Sequence, residues 1–133
     1  MPRKLKITKV EWEIMECVWN LGTKVSAREV HSRLYPEGGK AYTTIQTILN
    51  TLHKKEMLKC EKIGMVNFYT PVKSRKSMMK AELSGIASQM FQGSVPALAN
   101  FLIDTNNLEL KEIESIKELL NEKEKKLRSK QHD

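Results

Sequence analysis

The stretch YTTIQTILNTL, residues 42–52, carries two patterns that indicate the fold class. Its apolar residues recur at the spacing of one helix face, and they are Ile45, Ile48, Leu49 and Leu52. The opposite face is polar and mostly short-chained, and it holds Thr43, Thr47, Asn50 and Lys54, flanked by Gln46. Threonine is a mediocre helix former because its branched β-carbon restricts its rotamers in a helix. The stretch therefore predicts a helix whose polar face has a use of its own.

A short-chained polar face suits close contact with DNA. Such side chains allow a near approach and both donate and accept hydrogen bonds. Threonine methyls can lie against thymine methyls, and asparagine or glutamine can pair with adenine edges. The plainer interpretation, an N-cap, holds for one of Thr43 and Thr44. The candidate DNA-binding residues are Thr43, Thr44, Gln46, Thr47, Asn50, Lys54 and Lys55, with Arg28 from the preceding helix.

Two capping-box patterns predict two helices before this stretch. Thr8 is followed three residues later by Glu11, and Ser26 by Glu29 in the same way. The first helix should run to about Asn20 and stop at Gly22. The second should end at residues 36–39, PEGG, and the third at Lys55 or Glu56.

A β-hairpin is predicted after the third helix. Residues 58–63 and 66–72 are suited to strands, and Gly64-Met65 lies between them as a tight turn. Pro71 marks an edge strand or the exit from the sheet, and Lys24-Val25 could add a short strand. The hairpin either covers the core or also serves as a wing. Its tip has no arginine, which favours contact with the DNA backbone over base reading.

Three helices and a hairpin in this order predict a winged helix-turn-helix whose third helix enters the major groove. The fold class is thus mostly α with a small β-hairpin, followed by a helical region. We expect a DNA-binding domain over residues 1–74 and a helical dimerisation domain over residues 75–133.

The charge distribution supports this division. The chain carries a formal net charge of +7. Residues 1–80 hold 16 Lys and Arg against 7 Asp and Glu, a net of +9, whereas residues 81–133 hold 7 against 9, a net of −2. A basic segment beside a nearly neutral one indicates a polyanion-binding domain joined to a part with another task. A winged helix that binds protein instead of DNA is the competing class, and the +9 segment argues against it.

Apolar stripes along the C-terminal helices predict a homodimer. A chain with such short helices can hardly enclose this much apolar surface alone, so a second copy should cover it. The helices are predicted at about residues 77–90, 95–103 and 108–126, with a loop at 104–107. The expected dimer contacts are Met79, Leu83, Ile86, Met90, Phe101, Ile113, Ile116 and Leu120.

Several functional classes lack any signal in the sequence. It has no glycine-rich phosphate loop, no nucleophile motif and no cysteine–histidine pair in a catalytic setting, so we expect no enzyme, no catalytic residue and no cofactor. The three histidines show no metal-ligand spacing, and the two cysteines suit buried thiols. No stretch is apolar enough for a membrane span or a signal peptide, which predicts no membrane insertion and a cytoplasmic location.

The chain resembles the penicillinase-repressor family, the winged-helix repressors of the BlaI/MecI/CopY type. The resemblance spans nearly the whole chain and follows the family's order. The matching segments are EWEIM at 11–15, VW at 18–19, VSAREV at 25–30, TIQTIL at 44–49 with Leu52 and Lys54-Lys55, FYTP at 68–71, FQGS at 91–94 and LANFL at 98–102.

This resemblance implies a bacterial homodimeric transcriptional repressor that binds a palindromic double-stranded DNA operator. In the branch that controls antibiotic resistance, a membrane sensor protease triggers cleavage between an Asn and a Phe, which here correspond to Asn100 and Phe101. The copper-responsive branch carries a C-terminal cysteine cluster, and this chain has no cysteine after Cys60. Control of the same fold by a ligand or another signal stays open as the alternative.

Overall fold

Three helices come first in the computed structural model, which describes residues 7–131. They are α1 (Lys9–Leu21), α2 (Ala27–Leu34) and α3 (Tyr42–Lys54). Both predicted capping boxes are present, because the Thr8 and Ser26 hydroxyls accept hydrogen bonds from the backbone N–H groups of Glu11 and Glu29. These caps satisfy backbone donors that the first turn of a helix would otherwise leave unpaired, and they fix where α1 and α2 begin.

One antiparallel sheet follows the order β1-β3-β2, with strands β1 (Val25–Ser26), β2 (Leu58–Ile63) and β3 (Val66–Pro71). The predicted hairpin is confirmed, and its turn at Gly64-Met65 places Gly64 at a φ of 65°, which glycine adopts without strain. The short first strand pairs Val25 with Tyr69 and makes β3 the central strand. Pro71 is the last residue of β3, so it marks an exit from the sheet and not an edge strand.

The core lies between the three helices and the inner face of the sheet. Tyr69 of the central strand and Met78 of the next helix both join it. The side chains in it that are fully buried are those of Ile14, Met15, Val18, Val25, Val30, Ile45, Leu49, Leu52 and Leu58. The predicted fold class, a winged helix-turn-helix that is mostly α, is therefore confirmed, with a third strand added to the hairpin.

The C-terminal helices are α4 (Arg75–Met90), α5 (Val95–Thr105) and α6 (Leu110–Gln131). The predicted loop at 104–107 is partly wrong, since α5 continues to Thr105. Pro96 lies in the first turn of α5, where its missing N–H costs no hydrogen bond. The last helix also runs beyond the predicted end at about 126, because its Glu, Lys and Arg residues are good helix formers.

The chain divides into two compact units between Gly85 and Ile86. The first part of α4 thus belongs to the N-terminal unit, where Met78 is buried and Glu82 accepts a hydrogen bond from the Ile7 backbone N–H at 3.2 Å. The predicted boundary, after residue 74, would lie before α4 begins, whereas the observed division lies within α4. None of the described helices has the length and hydropathy of a membrane span.

Candidate nucleic-acid interface

One side of α3 is buried and the other is open. Ile45, Leu49 and Leu52 have no exposed surface, and Ile48 is half-buried. Because a helix turns by about 100° per residue, the opposite face must then point away from the core. The side chains that are exposed on α3 and were predicted to contact DNA are those of Thr43, Thr44, Gln46, Thr47, Asn50 and Lys54.

The threonine hydroxyls on α3 do not all have a free proton. Thr47 Oγ1 donates to the Thr43 carbonyl oxygen at 3.0 Å, and Thr51 Oγ1 donates to the Thr47 carbonyl at 3.0 Å. Such bonds within the helix use the hydroxyl proton and leave the oxygen lone pairs and the methyl group available. The sequence-based expectation that Thr47 offers a donor is therefore wrong: it presents an acceptor and a methyl.

Asn50 is held by the sheet. The hydroxyl of Tyr69, on the central strand β3, donates to Asn50 Oδ1 at 2.9 Å. Burial, helped by the neighbouring Cys60, raises the pKa of Tyr69, so its hydroxyl stays protonated at neutral pH. This bond joins the central strand to the exposed face of α3.

The start of α3 is uncapped and lies beside cationic side chains. Its N-cap is Ala41, which has no side-chain cap, so the interpretation of Thr43 or Thr44 as an N-cap is wrong. The Arg28 guanidinium lies 5.8 Å from the ring centre of Tyr42, the first residue of α3. The Lys40 ammonium lies 5.9 Å from the Tyr35 ring centre. Free backbone N–H groups and these two cations make this end of the helix attractive to anions.

Lys55 differs from the predicted arrangement. Its ammonium contacts both carboxylate oxygens of Glu11 at 2.7 and 2.9 Å, and the Glu11 side chain is buried. Burial alone would raise the pKa of Glu11, but the hydrogen bond from Lys55 and those from Thr8 outweigh it and lower that pKa. Lys55 therefore ties the end of α3 to the start of α1. This internal bond corrects its predicted role as a phosphate contact, because withdrawing it would leave a buried carboxylate unpaired.

The two faces of the hairpin have different chemistry. Side chains alternate along a strand, so Lys62 and its partner Asn67 share the face of Tyr69, the face that reaches α3. Ile63 and its partner Val66 lie on the other face and are about half exposed, and Met65 at the tip is almost fully exposed. Lys62 and Asn67 therefore lie on the hairpin face from which Tyr69 reaches Asn50, on the open face of α3.

Sequence reasoning found most of the face of α3 but missed its surroundings. Lys40, Tyr42, Lys62, Asn67 and Tyr69 were not among the predicted contacts. The period of two in β2 and β3 could have grouped Lys62 with Asn67 and Tyr69. It could not have shown which face of the hairpin meets α3, because that depends on packing.

The predicted dimer contacts are at least partly open to solvent. Leu83, Met90, Phe101, Ile113 and Leu120 are exposed, whereas Met79, Ile86 and Ile116 are half-buried. The predicted list missed further apolar side chains that are exposed on the last two helices, namely Val95, Leu102, Ile103, Leu110, Leu119 and Leu127.

The predicted cleavage bond lies inside α5. Asn100 and Phe101 are both exposed, and the Phe101 ring lies 5.7 Å from that of Phe91. Within residues 7–131, no three His, Cys, Asp or Glu side chains come close enough together to hold a metal ion.

Comparison with known proteins gives a consistent result. A family profile described as "Penicillinase repressor" matches residues 7–122. A "Penicillinase repressor" from Staphylococcus aureus is 25% identical over 124 residues, which cover 93% of this chain and 98% of that protein. A protein of the same description from Bacillus licheniformis is 25% identical over 117 residues, covering 88% and 91%.

A solved structure described as the DNA-binding domain of the repressor BlaI is also similar. It is 32% identical, covers 56% of this chain and 90% of that one, and has a TM-score of 0.48. The family profile and both named relatives describe repressors and not enzymes.

Proposed function

Because the chain belongs to the penicillinase-repressor family, we propose that it represses transcription by binding an operator in double-stranded DNA as a homodimer. The observation that carries this proposal is the open face of α3. Six polar side chains are exposed there, while Ile45, Leu49 and Leu52 on the other side of the same helix have no exposed surface. In a helix-turn-helix, such a helix lies in the major groove and its exposed side chains reach base edges.

The exposed side chains divide into base readers and phosphate contacts. Gln46 and Asn50 offer amides to base edges, and the Thr47 methyl and oxygen suit a thymine methyl and a base amino group. Arg28, Lys40 and the uncapped first turn of α3 supply positive charge at one end, and Lys54 does so at the other. Lys62 and Asn67 extend this surface onto the hairpin, where backbone contacts are expected.

Exposed apolar surface supports the homodimer. In the C-terminal unit, α5 and α6 have no buried residue, although both carry large apolar side chains. Soluble monomers rarely expose large continuous apolar patches. A second copy packed on these helices would cover them and place two α3 helices about 34–36 Å apart, one turn of DNA, or a multiple of it.

Release by proteolysis at Asn100-Phe101 is the mode of control that we favour. The bond lies in the middle of α5, so a protease reaches it only when the helix opens locally. Opening should be easy in a single chain, because α5 has no buried side chain to withdraw from a core. Cleavage there would separate α6 from the rest of the chain and weaken the dimer. The protease would be a membrane sensor protein acting in trans.

Duplex binding by the full chain tests the DNA-binding proposal. We expect selection from a pool of randomised duplexes to yield a palindromic site whose affinity falls steeply with salt. Thr47→Ala and Asn50→Ala should change the selected sequence, whereas Lys54→Ala should weaken all sequences and reduce the salt slope by about one. Lys123→Ala, on α6, is the matched control and should change neither. A chain that binds no duplex at low salt would instead be a protein-binding winged helix.

Two measurements separate the remaining parts of the proposal. Sedimentation of the full chain at micromolar concentration should give a dimer, and a monomer would contradict the assembly. Mass spectrometry of the protein released from DNA after induction should show a cut after Asn100. Release with an unchanged mass would favour control by a ligand.

A further inference from the structure

The bond between the Tyr69 hydroxyl and Asn50 joins a buried ring to an exposed side chain. The Tyr69 ring is 2% exposed and is packed in the core, so its position does not depend on Asn50. Asn50 is exposed, and most exposed asparagine amides are free to turn over and present either the oxygen or the nitrogen. Here the hydroxyl donates to Oδ1 at 2.9 Å, which turns Nδ2 toward the outside.

We propose that Tyr69 is a positioning residue that fixes the amide of Asn50 as a hydrogen-bond donor and so sets the sequence preference at the base pair Asn50 faces. The inference rests on the proposed function, since it requires α3 to lie in the major groove. Tyr69 would then be a specificity determinant that lies in the sheet and does not itself contact the base.

The fixed orientation favours one base chemistry. In the major groove, guanine presents two neighbouring acceptors, N7 and O6, whereas adenine presents one acceptor and one donor. An amide with its nitrogen outward and its oxygen already bonded to Tyr69 matches guanine. An amide free to turn would accept adenine as well, through its outward oxygen. Tyr69 therefore makes guanine the preferred base at this position.

The neighbourhood of the bond supports a positioning role. Cys60 and Asn67 both lie on the face of the hairpin that carries Tyr69. Burial raises the pKa of Tyr69, and a hydrogen bond from the Asn67 side chain to the Tyr69 oxygen partly offsets this. Because that oxygen already accepts from Asn67, the hydroxyl meets Asn50 as a donor and favours Oδ1 over Nδ2 as its partner. Gln46, the other amide on the open face of α3, has no hydrogen-bond partner among residues 7–131. The amide of Asn50 is thus fixed by a hydrogen bond from a buried residue, whereas the amide of Gln46 is free to rotate.

Tyr69→Phe removes the hydroxyl and keeps the ring, and it is compared in the full chain with Asn50→Ala and the double variant. The probe is a selected duplex with guanine at the position that Asn50→Ala affects, and its partner with adenine there. We expect the wild type to prefer guanine by at least about fivefold, and Tyr69→Phe to lose most of that preference. In the Asn50→Ala background, Tyr69→Phe should change nothing further.

Tyr35→Phe is the matched control. The Tyr35 hydroxyl also donates to a side chain, Glu13 Oε1 at 2.8 Å, and that side chain lies on α1 and not on α3. It should leave the guanine preference unchanged. A Tyr69→Phe protein that keeps the full preference would overturn the proposal, and so would one that weakens both duplexes equally.

Failure of the proposed function is distinguishable, because then the wild type binds neither duplex. If Tyr69→Phe does not fold, the wild type itself decides. The side-chain amide of Asn50 should be rigid in ¹⁵N relaxation while that of Gln46 is mobile. Equal mobility of the two amides would overturn the proposal.

Discussion

Both units of this chain contain helices that carry large apolar side chains, yet only the first unit encloses them. Up to Gly85, three helices and a sheet surround a core in which Ile14, Ile45 and Leu49 have no exposed surface. From Ile86 onward, Ala87 is the one buried apolar residue among those that the structure describes, and Leu110, Leu119 and Leu120 are each more than half exposed.

The stability of the two units should therefore have different sources. A sheet adds a second layer on which helices can pack, so the first unit completes a core within one chain. Two helices without such a layer leave their stripes open. The first unit should therefore fold independently of protein concentration, whereas the second should depend on a second copy.

The largest expected effect is a core truncation in the first unit. Leu49→Ala should lower the free energy of unfolding by about 2–5 kcal/mol, because it leaves a cavity beneath α3. Both tryptophans, Trp12 and Trp19, lie in this unit, so fluorescence during urea unfolding follows it. Leu120→Ala makes the same change on an exposed side chain of α6 and should leave that fluorescence transition in place. Equal shifts in the two variants would show that Leu120 is as buried in the folded protein as Leu49.

The buried ion pair gives the next effect and makes the first unit sensitive to acid. The pKa of Glu11 in the folded protein lies below the ordinary value of a glutamate, so the stability that its charge contributes is fully present above that ordinary value and is lost as the pH falls through the lower folded pKa. Glu11→Gln should cost about 1–3 kcal/mol at pH 7 and little at low pH. Urea unfolding at several pH values measures this. Glu37→Gln, exposed between α2 and α3, is the control and should show no such difference between pH values.

A charge on the open stripe tests the second unit. Leu120→Asp should raise the dimer dissociation constant at least about tenfold, because covering α6 would then bury an unpaired carboxylate. Sedimentation over a range of concentrations measures the constant, and tryptophan fluorescence should show an intact first unit. Glu118→Gln, nearby on α6 and also exposed, is the control. A dimer that tolerates Leu120→Asp unchanged would place the interface elsewhere.

The smallest expected effect is the loss of an exposed ion pair. Arg128 contacts Glu124 at 3.1 Å on α6, and both side chains are more than half exposed. Arg128→Ala should change the free energy of unfolding by less than about 0.5 kcal/mol, since water competes for both charges. Circular dichroism during urea unfolding checks it. A loss as large as that of Glu11→Gln would show that this helix end is covered in the dimer.

Most of the fold was predictable because local rules set it. The capping boxes at Thr8 and Ser26, the turn at Gly64 and the apolar period of α3 each act over a few residues, and each prediction is confirmed. Errors arose where propensity outweighed pattern. The charged end of α6 and the residues Asp104 and Thr105 of α5 stay helical, although their polarity suggested fraying or a loop.

The candidate site was predictable in its outline but not in its bonds. The period of 3.6 residues found the open face of α3. It could not show that Lys55 forms an ion pair with Glu11, that the Thr47 hydroxyl donates to a carbonyl of its own helix, or that Asn50 accepts a hydrogen bond from Tyr69. Two of these three partners come from other elements of the chain, at separations that no local pattern records.

The element order, the two faces of α3 and the basic first segment could be inferred from the sequence, because they follow from spacing, composition and local hydrogen bonding. The family could be inferred from the resemblance of whole segments. Which polar groups on α3 are free to contact DNA depended on tertiary packing. The cause is that a hydrogen bond or ion pair forms only between groups that packing brings within about 3 Å, and packing joins residues that are far apart in the chain.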